Sequence, residues 1–252
     1  MGKFFWYEAL RELRELQNYR VNLIFANLSL VVLFWGFTNY FSSGNPNAMF
    51  FLLFAWYFAT HSTTVPTFII EDEINDRTII SLYQSKYSIE RLVLWRCGVQ
   101  IFVDTLKAIP LFVLLAFITK ASLGDISIWS ILSILFLDYL VIIGLYGLGI
   151  FFSSFTLFFS RTSSVVSLLN YYMLFFSGLT NERQLSPILK KIADLFPFQE
   201  LNLLISSILQ NQVPTRILLI LLAKVVAYWL LGLLIFRGAL KLAIKGGKLF
   251  GT

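Results

Sequence analysis

The chain has 252 residues, 58% of them hydrophobic and 13% charged, and a formal net charge of +6 at pH 7. Soluble domains carry charges on about a quarter of their residues, so this composition excludes a soluble globule and indicates a membrane protein. The single cysteine and single histidine, Cys97 and His61, exclude an intramolecular disulfide framework, a cysteine-cluster metal site and the multi-histidine zinc patterns.

Residues 3–19 predict an amphipathic helix that lies in the membrane interface, with aromatic side chains at headgroup depth. The alternative is that this segment forms the cytoplasmic start of a long first span. Acidic residues along the segment and the absence of a small-residue cleavage site argue against a signal peptide. The predicted apolar face consists of Phe5, Trp6, Ala9, Leu10, Leu13 and Leu16.

Six apolar runs come close to or exceed the roughly 20 helical residues that cross a hydrocarbon core. The sequence therefore predicts an all-α, polytopic membrane protein whose single domain covers residues 1–252. The fourth run is long for one span, and its GLYGLG segment (residues 144–149) favours a kink or a close helix contact. The predicted spans are residues 21–41, 48–70, 92–119, 127–159, 163–180 and 216–240.

The distribution of lysine and arginine predicts the orientation of these spans. Thirteen of these residues fall on the side of both termini and five on the opposite side, while Lys107 and Lys224 fall within spans. The positive-inside rule therefore places both termini and the polar loop at residues 71–91 in the cytoplasm, with the spans in the cell membrane. Because the basic residues are spread over several loops, membrane lipids are expected partners and nucleic acid is not.

Residues 181–212, between the fifth and sixth runs, predict two short helices on the outer side. Ser186 followed by Pro187 is typical of a helix start, and Pro197 separates this helix from a second one at about residues 198–209. Neither helix is long enough to span, which favours a re-entrant or lid element. The alternative is a surface loop that lies on the headgroups.

The polar loop between the second and third runs is dense in charge, with nine charged residues in the stretch 71–96. Glu73 is followed five residues later by Thr78, then by a leucine-containing segment and Ser85. Residues 71–78 predict the cap and acidic first turn of a short helix, because acidic side chains are favoured at a helix N-terminus. The apolar side of this helix, which suits a groove on a partner, consists of Ile79, Ile80, Leu82 and Tyr83.

This layout resembles the cytoplasmic loop of the ABC type-2 exporter permeases. In that family a glutamate, a threonine after four intervening residues, a leucine-rich helix, a serine and a proline follow the second span. The chain departs from the pattern at Arg77, where the family usually has glycine, and at Lys86, where it has proline. The outer segment from residue 175 to residue 201 is similar to the family's Ser-Gly segment and proline-started helix. The order of these parts matches along most of the chain.

The resemblance implies the transmembrane permease subunit of an ATP-driven exporter, with residues 71–91 as its coupling loop. It also implies two partners, a nucleotide-binding ATPase subunit and a second permease chain that is either identical or a paralogue. No G-x-x-x-x-G-K-[ST] phosphate-binding sequence is present, so the chain is not expected to be an enzyme, and ATP and Mg belong to the partner ATPase. The residues expected to contact that ATPase are Glu73, Asp76, Arg77, Thr78, Ile79, Leu82, Tyr83 and Ser85.

Charged residues inside the predicted spans are further candidates for function, since a charge at mid-bilayer costs about 2.5–3.5 kcal/mol. Asp104 and Lys107 lie three residues apart on one helical face, and Asp138 lies in the fourth span. These residues form either a polar substrate path or a buried ion pair that sets packing, and for Asp104 and Lys107 the ion pair is favoured. We expect His61 to join two helices and Lys224 to extend toward the membrane surface.

The abundance of phenylalanine and tyrosine suits an amphiphilic substrate such as a drug, a peptide or a lipid-linked molecule. Two other classes of protein compete with the exporter. An ATP-independent, ion-coupled carrier or a polar-patch channel would use the intramembrane charges, although no halves of matching hydropathy are visible. A membrane-embedded enzyme would need acids or histidines clustered on facing spans, and one histidine with scattered acids argues against it.

Overall fold

The computed structural model describes residues 2–40, 45–84, 87–159, 161–175 and 187–246. All regular structure within these ranges is helical, which confirms the all-α prediction for this part of the chain. The helices are α1 (Gly2–Asn18), α2 (Arg20–Tyr40), α3 (Pro46–Asn75), α4 (Ile79–Gln84), α5 (Ile89–Thr119), α6 (Ile128–Phe159), α7 (Ser163–Phe175), α8 (Pro187–Ala193), α9 (Phe198–Leu209) and α10 (Thr215–Lys245), with a 3-10 turn at Leu123–Asp125.

Five of the described helices, α2, α3, α5, α6 and α10, are long and apolar enough to cross a membrane. The chain is therefore a multi-pass membrane protein, as its composition predicts. Helix α7 has 13 described residues, fewer than one span requires. The remainder of the predicted fifth span, residues 176–180, lies outside the described residues, as do residues 181–186 of the outer segment.

Helix α3 is the centre of the fold. Asn45 caps its start by accepting a hydrogen bond from the Asn47 amide at 2.9 Å, and Pro46 occupies its first turn, where a missing N–H costs nothing. All residues from 48 to 59 are buried. Helices α5, α6, α7 and α9 pack around α3, and its N-terminal half is the longest uninterrupted buried stretch of the described core.

Helix α6 is continuous over 32 residues, and its GLYGLG segment lies at close helix contacts. A Cβ on Gly147 would meet the α10 backbone at residues 228–229 at 2.8 Å. Gly149 lies against the Ser62 carbonyl of α3. Because Pro66 has no N–H, this carbonyl accepts no helical hydrogen bond from it. The missing side chains let α3, α6 and α10 approach to backbone contact.

Helix α3 ends five residues beyond its predicted span. Residues 71–75 are therefore its last turn and not the first turn of the predicted coupling helix, which corrects the expectation from the sequence. The helical hydrogen bonds continue as far as Asp76, whose amide still donates to the Asp72 carbonyl at 2.8 Å. The short cytoplasmic helix, α4, begins only after the turn that follows.

Helix α1 lies along α5 and contacts it through residues of its predicted apolar face. Ala9 packs against Val99 and Val103 of α5, and the rings of Phe5 and Phe102 lie 6.0 Å apart. A single residue, Tyr19, separates α1 from α2. Helix α1 is therefore a helix of its own, and its apolar side chains hold it against α5.

Candidate functional site

The turn between α3 and α4 contains a residue in a conformation that favours glycine. Arg77 has a φ of 57°, in the left-handed region that glycine adopts at little cost. In the ABC type-2 exporter permeases, whose cytoplasmic loop this segment resembles, the same position is usually glycine. Thr78 then starts α4, because its carbonyl accepts a hydrogen bond from the Leu82 amide at 3.0 Å. The turn therefore keeps a glycine-type geometry with an arginine in place.

We expect Arg77→Gly to stabilise this turn and Arg77→Val to disrupt it. A non-glycine residue costs about 1–2 kcal/mol in the left-handed conformation, and β-branched residues tolerate it least. The melting temperature of the purified protein in detergent measures both effects. The control is Arg91→Val, an exposed arginine in a regular helix, which should change the melting temperature little. Equal melting temperatures for the two Arg77 variants would contradict a strained turn.

Helix α4 turns one side toward the core. Ile79 is 3% exposed, and Ile80 and Leu82 pack against the core while partly buried. Tyr83 is 50% exposed. The apolar side that the sequence assigned to a partner is therefore largely covered by the chain itself, and the open surface of α4 centres on Tyr83.

The other residues predicted to contact an ATPase lie at the two ends of α4. Asp76, Arg77 and Thr78 are exposed in the turn before the helix. Ser85 and the neighbouring Lys86 lie outside the described residues. The turn and the exposed side of α4 thus form one continuous exposed surface.

Glu73 is buried and connects this segment to two other helices. Its carboxylate accepts a hydrogen bond from Arg96 Nη1 of α5 at 2.5 Å and another from the Thr78 hydroxyl. Arg96 Nε lies 3.3 Å from Glu8 of α1, which pairs with Arg11 at 2.8 Å. The contacts from Thr78 through Glu73 and Arg96 to Glu8 join α4, α3, α5 and α1. Glu73 therefore orients the loop from inside the protein.

Glu71 is a buried functional candidate that the sequence analysis missed. One of its carboxylate oxygens accepts hydrogen bonds from the Thr162 amide at 2.5 Å and the Ser163 amide at 2.8 Å. It thereby caps the start of α7, where unpaired amides and the helix dipole favour a negative charge. The Thr162 hydroxyl also bonds Thr156 of α6 at 2.6 Å. Glu71 consequently links the end of α3 to the α6–α7 connection.

Asp104 lies at the centre of a polar cluster between α3 and α5. Its side chain is fully buried, with Lys107 Nζ at 2.5 Å. Gln100 donates to the same carboxylate oxygen at 2.8 Å, and His61 Nδ1 lies 3.6 Å from the other oxygen. The predicted pair of Asp104 and Lys107 is therefore present, and the His61 ring of α3 lies beside it without a hydrogen bond to the carboxylate.

Asp138 is not joined to that cluster. It is fully buried on α6, and neither carboxylate oxygen has a hydrogen-bond partner within the described part of the chain. Its neighbour Tyr139 does reach α5, with its hydroxyl 3.0 Å from that of Thr105. Of the three intramembrane candidates, the structure thus links Asp104 with Lys107 and leaves Asp138 separate.

The Lys224 side chain reaches the turn between α8 and α9, a contact that the sequence did not indicate. Its ammonium group contacts the carbonyls of Asp194 and Phe196 at 2.6 and 3.2 Å, and Glu200 Oε1 at 2.6 Å. The Tyr228 hydroxyl donates to a further carbonyl in the same turn. Helix α9 meanwhile buries one face against α3, α6 and α10. The turn between α8 and α9 is therefore fixed to the middle of α10.

Among the described residues, no group of three or more histidine, cysteine, aspartate or glutamate side chains is arranged to hold a metal ion. Cys97 is a buried free thiol. No protein-family model and no curated protein matches the chain. Its functional assignment therefore rests on the contacts around α4, Asp104 and Lys224.

Proposed function

We propose that the chain is the transmembrane permease subunit of an ATP-driven ABC exporter. It moves an amphiphilic substrate, such as a drug, a peptide or a lipid-linked molecule, out of the cytoplasm. A separate nucleotide-binding ATPase supplies the energy and holds ATP and Mg. The observation that carries the proposal is the α4 segment, which is covered on one side, exposed at Tyr83 and connected to α3, α5 and α1 through Glu73.

The contacts of α4 are suited to transmitting movement. A docking helix transmits force only if it is held firmly to the spans that must move. Thr78 is bonded to Glu73 and Glu73 to Arg96, so a displacement of α4 acts directly on α3 and α5. The short distance from Arg96 to Glu8 extends the connection to α1. Glu71 extends it to α7 through two backbone hydrogen bonds.

The helices α8 and α9 form the outer, re-entrant element of this exporter. Lys224 lies nine residues after the first residue of α10, about 14 Å along that helix. Its contacts with Asp194 and Phe196 bring the α8–α9 turn to the same depth. The backbone carbonyls of this turn are satisfied by Lys224 and Tyr228, which is the condition for irregular backbone within a membrane. A plain surface loop would not need such contacts.

The complete exporter contains a second permease chain, either identical or a paralogue. Helix α2 supports this, because little of it is covered by the rest of the chain. The orientation follows from the lysine and arginine bias, with both termini and α4 in the cytoplasm and the protein in the cell membrane. Helix α1, with Trp6 and Tyr7 exposed, then lies at the cytoplasmic interface.

An ATP-independent, ion-coupled carrier or polar-patch channel is the second candidate. The cluster of Asp104, Lys107, Gln100 and His61 favours it, because intramembrane ionisable groups often mark ion pathways. The two candidates differ in their need for ATP. Transport by reconstituted chain without an ATPase would support the carrier and contradict the exporter.

The exporter proposal predicts a specific loss of ATPase association in Tyr83→Asp. A charge at the exposed anchor of a helix-in-groove contact should reduce co-purification of the ATPase by tenfold or more, as expected from roughly 1.4 kcal/mol of lost binding energy. The measurement is ATP hydrolysis per mole of permease in the complex purified from native membranes.

The matched control is Tyr83→Phe, which keeps the aromatic ring and should retain the associated hydrolysis. Both variants should insert into the membrane and melt as the wild type does, since Tyr83 is half-exposed. If Tyr83→Asp retains wild-type hydrolysis and transport, α4 is not the coupling element and the exporter proposal loses its main support.

A further inference from the structure

An apolar groove of about 470 Å³ lies between α3 and α5. Its volume is within the range of about 300–1,000 Å³ that is typical of small-molecule sites. Phenylalanine rings line it from both helices, together with small and aliphatic side chains of α5. The lining includes Phe50, Phe54, Phe58, Ala108, Phe112 and Ala116.

The groove has a defined shape because its rings pack against one another. The Phe54 and Phe112 rings have centroids 4.3 Å apart, and the Phe58 ring is nearly parallel to that of Phe112, at 13°. At the inner end the Thr105 hydroxyl lies 3.0 Å from that of Tyr139. The Thr105 hydroxyl also donates to the Ile101 carbonyl at 2.7 Å, so the polar atom of Thr105 is paired within the protein and the rest of the lining is apolar.

The groove opens toward the hydrocarbon that surrounds the spans. Ile109, Val113 and Phe117 line it and are more than half exposed. From Thr105 to Ala116 the groove covers twelve residues of α5, about 16 Å along the helix axis. One leaflet contributes about half of a 30 Å hydrocarbon core. The groove therefore has the length and polarity of a single acyl chain in one leaflet.

Two residues of opposite charge follow closely in sequence the lining residues Phe117 and Leu123. Lys120 follows the last residue of α5 and is exposed, with its amide bonded to the Phe117 carbonyl at 3.3 Å. Leu123 lines the groove and begins the 3-10 turn that ends at the exposed Asp125. A cation and an anion at this point match the phosphate and the amine of a zwitterionic phospholipid, and a primary ammonium, unlike a quaternary one, has N–H groups to donate to a carboxylate.

We propose that this groove binds one acyl chain of a membrane phosphatidylethanolamine, in the leaflet on the side of the α5–α6 connection. Lys120 contacts its phosphate and Asp125 its ammonium group. The rigid aromatic lining favours this lipid over those that only surround the protein, because a preformed site spends less entropy on binding. The inference goes beyond export and requires only that α3 and α5 lie in a membrane.

The test uses the full chain in nanodiscs of phosphatidylcholine that contain a phosphatidylethanolamine with a photoactivated diazirine in its acyl chain. After illumination, labelled peptides are mapped by mass spectrometry. Labelling should concentrate in α3 between residues 50 and 58 and in α5 between residues 105 and 117. Ala116→Trp, which fills the groove, should reduce this labelling to the level found on α2. Ala26→Trp, on the exposed face of α2, is the matched control and should leave it unchanged.

The headgroup contacts are tested by competition. Unlabelled phosphatidylethanolamine should displace the probe about threefold better than phosphatidylglycerol, the effect expected of one exposed ion pair. Asp125→Asn should abolish that difference.

Equal labelling of α2, α10 and the groove, or unchanged groove labelling in Ala116→Trp, would show annular lipid only and overturn the site. Equal competition by the two lipids overturns the headgroup assignment. Neither readout involves an ATPase, so these outcomes are independent of the exporter proposal.

Discussion

Gly147→Leu is expected to prevent α6 from packing on α10. Gly147 lies at backbone contact with α10, and a Cβ at this position would meet main-chain atoms at 2.8 Å. Backbone atoms cannot move aside as the end of a flexible side chain can, so the two helices would have to separate. Overpacking typically costs about 1–3 kcal/mol, and we expect this variant to exceed that range. The measurement is the yield of monodisperse protein in size-exclusion chromatography, together with its melting temperature.

Two other glycines provide matched controls for this prediction. A Cβ on Gly98 of α5 or on Gly238 of α10 would have no neighbouring atom within 4 Å. Gly98→Leu and Gly238→Leu should therefore give monodisperse protein with nearly the wild-type melting temperature. Gly232, which faces the Gly147 carbonyl, should behave like Gly147. A Gly147→Leu protein as stable as the two controls would contradict the close contact of α6 and α10.

The helices themselves could be predicted from the sequence, because apolar length and periodicity are local properties. The start of α8 at Pro187 and the start of α9 near Phe198 follow from the prolines in the same way. The predicted end of α3 is wrong because dense charge does not by itself end a helix. Glu71 and Glu73 continue α3 instead, since each finds a partner on another helix.

The partners of the charged residues were harder to predict than the helices. Asp104 and Lys107 share one helix, so their spacing alone predicts contact. Glu71 and Thr162 are 91 residues apart, and Lys224 and Glu200 are on different helices. Periodicity gives the faces of each helix but not which helices are neighbours. An acidic residue just after an apolar run, together with a Thr-Ser pair that starts another helix, was the one local signal for the Glu71 cap.

The charged residues of this chain fall into two groups that differ in their surroundings. The contact of Arg237 with Glu90 joins two helices at a position where the Arg237 side chain is 56% exposed. Solvent screens exposed pairs of this kind and limits their contribution to about 1 kcal/mol or less. Asp104 is fully buried within a spanning helix, where an unpaired charge is costly. Removal of one partner should therefore have its largest electrostatic effect at Asp104 and Lys107.

We expect Asp104→Asn and Lys107→Gln each to destabilise the protein by about 3–5 kcal/mol, and the double variant to cost much less than either. Each single change leaves one charge without its partner at 2.5 Å. Lys107→Gln should be the more severe, because the Asp104 side chain is 1% exposed whereas Lys107 is 13% exposed and reaches solvent more easily. Unfolding in a graded series of SDS–detergent mixtures measures the free energy of unfolding for the wild type and the three variants.

The double-variant cycle separates a structural ion pair from a transport site. A structural pair gives a strongly favourable coupling energy between Asp104 and Lys107, and a double variant that assembles and transports. Additive effects of the two single changes would show that the 2.5 Å contact contributes no stability. A double variant that assembles normally but does not transport would assign the cluster to the substrate path instead. The control pair is Glu90→Gln with Arg237→Gln, whose contact at 2.7 Å lies at an exposed position and should contribute about 1 kcal/mol or less.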